Sequence, residues 1–299
     1  MERYRRIAAY GLCRDAAGRF LLVWWPRTAV WSLPGGQVGQ GEPPEAAAVR
    51  AVRAETGLAV AVAGLRTVYA ALWANGHLVQ HTDAVVYDVR PEGGAAGQGA
   101  RWFDAAEAET APLDPYVRPV LGLPCTPPVG PAPLPAQLRA LPGVPLARGE
   151  EHLRTGDSGQ RFSAYALTAD ADGRVLLTRN APGYPYAGRW HLPGGGTDFG
   201  EQPGRALLRE ITEETAQRAR ITALVEVGHR HTPRALGPEG RPLDWHVVRV
   251  LYRAFVDAPT PARVVEADGS TAEARWWGGA ELSGLPLTPV AEAALARGG

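Results

Sequence analysis

Apolar and polar positions in this chain fall into short runs separated by glycine-marked turns, and the same succession is written twice. Residues 6–12 read RIAAYGL and residues 161–167 read RFSAYAL. A turn follows each, Gly18-Arg19 or Gly173-Arg174, and then a second apolar run, FLLVWW or VLLTRN. Runs of this kind bounded by turn residues predict strands. Next come Trp31-Ser-Leu-Pro-Gly-Gly in one copy and Trp190-His-Leu-Pro-Gly-Gly in the other, and later ARWFDAAE at 100–107 and ARWWGGAE at 274–281. For the second copy the pattern predicts strands over 161–169 and 174–179, a Gly-rich stretch over 190–196 and a helix over 202–215. Strands over 220–229 and 246–257 and a closing helix over 286–297 complete it. Strands mixed with helices imply a sheet covered on both faces. Matching segments drift apart along the chain, which places insertions in the second copy, one of them around Gly237-Pro-Glu-Gly-Arg-Pro.

The predicted helix over 202–215 has two faces. Leu207 and Ile211 stand four apart and form an apolar stripe suited to burial against a sheet. Glu210, Glu213 and Glu214 stand at i, i+3 and i+4 and share one face. Three like charges so placed repel unless a cation neutralises them. Carboxylate oxygens are hard ligands suited to Mg²⁺ or Mn²⁺, which in turn bind diphosphate oxygens. Arg209, four residues before Glu213, can orient it, or orient Glu201 at the helix start. A solvated glutamate-rich surface is the plain alternative; Leu-Pro-Gly-Gly upstream and the placement of Glu201 argue against it.

The stretch GGTDFGEQPGRALLREITEETAQ, with Gly195, Glu201, Arg209, Glu210, Ile211, Glu213 and Glu214 in register, resembles the box of the Nudix hydrolases. The resemblance implies an α/β protein made of two Nudix-fold α/β/α sandwiches with mixed sheets, in tandem. Residues 1–122 would be a degenerate, non-catalytic copy, 123–149 a Pro-rich linker and 150–299 the catalytic domain. It also implies a metal-dependent pyrophosphohydrolase, in which a metal-activated water attacks phosphorus in a nucleoside diphosphate linked to another moiety. That moiety would make the substrate a nucleotide sugar, an ADP-ribose-like compound or a (d)NTP. Glu210, Glu213 and Glu214 would ligate Mg²⁺, or Mn²⁺, helped by the carbonyl of Gly194 or Gly195. Arg209 and Glu201 belong to the same catalytic set, and the general base would be one of the glutamates or another on a nearby loop. Two positions depart from the family pattern, Ala216 where glycine is usual and Gln217 where an apolar residue is usual. If the first of these needs a left-handed backbone, alanine costs about 1 kcal/mol there relative to glycine.

The first copy reads GQVGQGEPPEAAAVRAVRAETGL from Gly36. Glu42, Arg50, Gly57 and Leu58 fit the box, but Ala51 and Ala54 replace two of the clustered glutamates and only Glu55 remains. The apolar face persists in Ala48, Val49 and Val52, so this helix should fold and pack without making a magnesium site. A supporting role follows, as the partner in an intramolecular pseudo-dimer, or as a ligand-binding copy. Residues 121–149 carry eight prolines, which remove backbone donors and resist regular structure.

Composition narrows the function classes. The 31 basic residues are all arginine and are matched by 31 acidic ones. With no lysine, Schiff-base chemistry and a Walker-type phosphate loop are excluded. Charge balance gives no polybasic face, so neither nucleic acid nor membrane is an expected partner. The start, MERYRR, lacks an apolar leader, and the expected location is cytoplasmic. Cys13 and Cys125 show no metal-type spacing and lie in the first half or the linker, which sets aside cysteine-dependent isomerase chemistry. For the nucleotide substrate, Arg230 or Arg234 can bind a phosphate, and Tyr184, Tyr186, Trp190 and Trp245 can stack on a base. Arg179 closes a Leu-Leu-Thr-Arg run with a superficial likeness to a coenzyme A hydrolase signature. The competing reading is a tandem Nudix-like ligand-binding or sensor protein with little turnover; an intact glutamate trio beside a decayed one favours the hydrolase.

Overall fold

A computed structural model describes residues 2–75, 77–97, 99–124, 153–155, 158–236, 242–266 and 269–297. The linker predicted over 123–149, apart from 123–124, and the predicted insertion at 237–241 lie outside the described residues, as does Cys125. Packing divides the chain into two compact units, residues 1–161 with 227–248, and residues 162–226 with 249–299.

The first copy is built from β1 (Glu2–Cys13), β2 (Phe20–Trp25), β3 (Val30–Ser32), β4 (Gly35–Gln37), α1 (Pro44–Thr56), β5 (Ala59–Asn75), β6 (Leu78–Gly93), β7 (Ala100–Phe103), α2 (Ala105–Thr110) and α3 (Val117–Leu121). Its main sheet runs β4-β1-β6-β5 and is mixed. β1 and β6 are parallel from Glu2↔Leu78 to Cys13↔Val89, while β4 and β5 join as antiparallel edges. A smaller antiparallel sheet runs β3-β2-β7. β1 is buried without a break from Ile7 to Cys13, as expected of a strand covered on both faces. On one face lies α1: a methyl added to Gly11 would stand 2.6 Å from Val52 Cγ2. On the other, Ala8, Tyr10 and Leu12 share a core with Phe20, Leu22, Phe103 and, from α2 and α3, Ala108, Val117, Val120 and Leu121. That is the α/β/α sandwich expected from the sequence.

A buried polar group crosses the parallel pair. Asp83 is 0 % exposed and accepts from Arg5 Nε (2.8 Å) and Nη2 (3.2 Å), with His81 Nε2 at 3.1 Å. Burial works against the Asp83 charge, but the Arg5 charge and His81 outweigh it and hold the carboxyl well below the usual range.

The second copy contains β8 (Leu153–Thr155), β9 (Ser158–Asp170), β10 (Val175–Asn180), β11 (Trp190–His191), β12 (Gly194–Gly196), α4 (Pro203–Thr215), β13 (Arg220–Leu236), β14 (Pro242–Val256), β15 (Thr271–Trp277) and α5 (Pro289–Ala296). The strand order is β11-β10-β9-β14-β13, with β8 and β12 on β9 and β15 on β10. Leu207 and Ile211 of α4 are fully buried, as their spacing predicts. On the opposite face Ala291 and Ala294 of α5 pack with Trp190, Leu192, Leu251 and Trp277. The closing helix starts later than predicted because Thr288 caps it, its hydroxyl accepting from the Ala291 N–H.

β13 and β14 extend well beyond the predicted 229 and 246. The added positions mix polar residues, Arg230, His231, Thr232, Arg234 and Asp244, with Pro233 and Pro242, so no apolar alternation marked them as strand. Their adjoining ends, 227–236 and 242–248, belong to the first unit, where they meet the loop before α1. Gln40 Nε2 donates to the Asp244 carbonyl (2.9 Å) and to its carboxylate (3.1 Å), and the Gly41 N–H donates to His246 Nδ1 (3.2 Å). No helix among the described residues is long and apolar enough to cross a membrane.

Candidate active site

The site is assembled on α4 and the short strand β12, both in the second unit. Proline at N1 suits a helix start, where its missing N–H would have no partner anyway. The other end closes on Ala216, which is left-handed at φ 58° and sends its N–H to the Thr212 carbonyl (3.0 Å). The first copy closes α1 with Gly57 at φ 78°. Alanine is strained in this region while glycine is not. Ala216→Gly is therefore expected to stabilise the protein by about 1 kcal/mol, less the greater backbone freedom of glycine when unfolded; urea midpoints of the two proteins check it.

Gly194 and Gly195 are glycines for steric reasons. Gly194 has φ 136°, and a methyl on it would meet the Ala164 carbonyl oxygen at 2.2 Å. A methyl on Gly195 would meet the Glu210 carboxylate carbon at 2.7 Å and both its oxygens at 2.8 Å. The Glu210 carboxylate thus lies directly on the β12 backbone.

Arg209 organises the acidic face. Its Nε and Nη2 each donate to Glu201 at 3.0 Å, its Nη1 donates to Glu210 (2.9 Å) and Glu213 (3.1 Å), and Nη2 also reaches the Gly196 carbonyl (3.3 Å). Burial opposes the guanidinium charge, but bonds and charge from Glu201 and Glu210 outweigh it and raise its pKa. Glu214 is 4 % exposed, and its two oxygens accept from the Gly194 N–H (2.9 Å) and the Thr271 hydroxyl (2.5 Å). Burial, with the charges of Glu210 and Glu266 adding to it, pushes the Glu214 carboxyl up to about 8 against those hydrogen bonds. Burial also raises Glu210; Arg209 pulls it back, while Glu213 and Glu266 push it further up.

The duplication supplies an internal comparison. In the first copy Arg50 grips Glu42 through Nε (2.7 Å) and Nη2 (2.8 Å) and reaches the Gln37 carbonyl, as Arg209 does with Glu201 and Gly196. Glu55 accepts from the Gly35 N–H (3.0 Å), as Glu214 does from Gly194. What is gone is the pair at Ala51 and Ala54, the counterparts of Glu210 and Glu213. The scaffold of the box survives in both copies, and the charged face in one.

Glu266 and Thr271 belong to this cluster and had no signal in the sequence. The loop from β6 to β7 covers 94–99, whereas that from β14 to β15 covers 257–270. In the longer loop the N–H groups of Val265 and Glu266 donate to the Glu213 carbonyl, and that of Arg263 donates to Thr215. Gln217 explains its departure from the family pattern: its buried carboxamide donates to Thr260 Oγ1 and accepts from the Thr260 N–H, both at 3.0 Å. An apolar side chain could make neither bond.

The substrate residues expected from the sequence fall into two groups. Arg179 pairs with Glu273 at 2.7 Å, and Trp190 is a core residue, 7 % exposed, edge-on to Trp277. Tyr184 and Tyr186 are exposed on the loop after β10. Arg230, Arg234 and Trp245 belong to the first unit, not to the unit that carries the glutamates. Among the described residues no three acidic, histidine or cysteine side chains converge closely enough to hold a metal ion. The donor set nonetheless suits a hard divalent cation. It is all oxygen, partly dry, and contains carboxylates whose charge is disfavoured until a cation arrives.

The family model described as the NUDIX domain matches residues 4–121 and 159–296. Among solved structures, the chain is similar to a MutT NUDIX hydrolase from Burkholderia pseudomallei, at 30 % identity over 46 % of this chain and 97 % of that one, with a TM-score of 0.35. It is similar to a MutT protein from Methanosarcina mazei Go1 at 20 % identity, 46 % and 91 % coverage and a TM-score of 0.37. The NUDIX domain of Shewanella oneidensis NrtR, solved with ADP ribose, matches at 22 % identity, 46 % and 86 % coverage and a TM-score of 0.35.

Proposed function

This chain belongs to the Nudix family of hydrolases acting on pyrophosphate bonds, and on that footing we propose that residues 150–299 carry the reaction while residues 1–122 do not. The observation that carries this reading is the acidic face of α4, complete in one copy and reduced in the other to its scaffold. The substrate in this reading is a nucleoside diphosphate linked to another moiety, taken from solution in the cytoplasm. Glu210, Glu213 and Glu214, with the carbonyl of Gly194 or Gly195, would hold Mg²⁺ or Mn²⁺. When bound, that cation polarises the phosphoryl oxygens and lowers the pKa of a water. Glu201 anchors Arg209, and Arg209 holds Glu210 and Glu213 apart from one another's charge until the cation is in place. The general base is one of these glutamates or another on a nearby loop, and Glu266, on the loop after β14 and held there by its N–H on the Glu213 carbonyl, is the loop candidate. Arg179, Tyr184 and Tyr186 are the substrate contacts within the same unit.

The first copy acts as a structural partner, in an intramolecular pseudo-dimer. Support comes from the adjoining ends of the second copy's β13 and β14, which pack within the first unit against Gln40 and Gly41. The test is product formation from ADP-ribose, UDP-glucose, dinucleoside polyphosphates and (d)NTPs with Mg²⁺, with Mn²⁺ and with chelator, for wild type and Glu213→Gln. Metal-dependent cleavage that the variant loses is the expected result. A folded protein that turns over none of them would favour a ligand-binding tandem instead.

A further inference from the structure

Thr271 opens β15 and donates its hydroxyl to Glu214 Oε1 at 2.5 Å, while the other oxygen takes the Gly194 N–H at 2.9 Å. The carboxylate is therefore held at both oxygens, which fixes its plane and the direction of its remaining lone pairs. Glu214 stands on α4 and is reached from the neighbouring β12 and from β15, which lies over fifty residues further along the chain. Among the described residues, the first copy keeps the Gly35 bond to Glu55 but shows no second one of this kind. Aligning Ala100–Phe103 with Ala274–Trp277 sets Gly97 opposite Thr271, and Gly97 has no hydroxyl; its N–H goes to the Thr56 carbonyl. The hydroxyl accompanies the copy with the complete acidic face. A bond needed only to fold the box would be expected in both.

We propose that Thr271 is a positioning residue for the hydrolytic site, its hydroxyl fixing the plane of Glu214 and thereby the affinity of the glutamate cluster for its divalent cation. The inference rests on the metal-dependent reading above. Partners that hydrogen-bond a ligating carboxylate typically change metal affinity about 10- to 100-fold when removed.

The test uses the full chain and Mn²⁺ as the probe, titrated by the electron paramagnetic resonance signal of the free aquo ion. Thr271→Val keeps the shape and removes the hydroxyl; Thr271→Ser keeps the hydroxyl. Valine is expected to weaken Mn²⁺ binding about tenfold and serine to hold it within about twofold of wild type. Any turnover lost by the valine variant should return at saturating Mn²⁺, which a merely structural defect would not allow. Equal binding by valine and wild type overturns the proposal, as does equal weakening by valine and serine, which would assign the effect to packing. Wild type that binds no Mn²⁺ overturns both this and the metal-dependent reading. Tight, hydroxyl-dependent Mn²⁺ binding without turnover on the substrate panel leaves the positioning role standing and counts only against the hydrolase reading.

Discussion

Glu210→Gln is expected to lower kcat/KM for pyrophosphate cleavage by roughly a thousandfold while leaving the fold intact. The fall corresponds to several kcal/mol of transition-state charge stabilisation that a cation supplies only when its ligands hold it. The geometry makes Glu210 the position where a neutral side chain matters most. Its carboxylate lies on the Gly195 backbone, Arg209 Nη1 holds one oxygen at 2.9 Å, and only 16 % of the side chain is exposed. Glutamine fits the same volume and keeps an acceptor for Arg209. Since burial already disfavours the Glu210 charge, removing that charge should not lower the stability of the metal-free protein. Thermal unfolding without metal separates the two effects. A variant that loses activity with an unchanged or raised Tm meets the expectation, whereas one that loses both places Glu210 in the scaffold with Glu201 and Arg209.

The largest stability effect is expected in the first copy. Asp83→Asn should cost about 3–5 kcal/mol, because it leaves the Arg5 guanidinium buried without its counter-charge. Arg5 is 8 % exposed and Asp83 is 0 % exposed, so solvent screens little of the interaction. The pH dependence has a definite sign. Asp83 is held below its ordinary value despite its burial, through Arg5 and His81. Its stabilising contribution is therefore present above the unfolded carboxyl pKa of about 4, and is lost as pH falls through that value toward the folded one. Urea unfolding of wild type and variant at pH 7 and near pH 3 reads this directly. The gap between them should narrow in acid; a gap equal at both pH values would mean that the pair is not what stabilises the parallel strands.

The parts of the site legible in the sequence were those whose geometry is local. A helix repeats every 3.6 residues, so Glu210, Glu213 and Glu214 had to share a face and Leu207 and Ile211 another, whatever the rest of the chain did. Whether Ala216 is left-handed was left open by the sequence, which shows only alanine where the family usually has glycine; the structure sets it at φ 58°. The duplication could be read because order and spacing repeat, and the loss of two glutamates in the first copy needed only comparison of the two. Trp190 shows the limit of reading residue type alone. An aromatic ring beside a Gly-rich loop suits stacking on a base or packing on a sheet equally well, and its contact with Trp277 places it in the core.

What the chain's order of residues determined by itself was the α/β class, the repeat, the scaffold of the box in both copies and the acidic face in one. Only the tertiary structure decided what meets that face. Glu266 and Thr271 come from a loop and strand over fifty residues beyond the helix, brought back by Gln217, Thr260 and the open carbonyls at the end of α4. The same holds for the adjoining ends of β13 and β14, 227–236 and 242–248, which belong in sequence to the second copy and in packing to the first unit. Periodicity records how a segment sits on its own axis. Which distant backbone groups satisfy one another is settled by closing the chain on itself, and residue spacing carries no record of that.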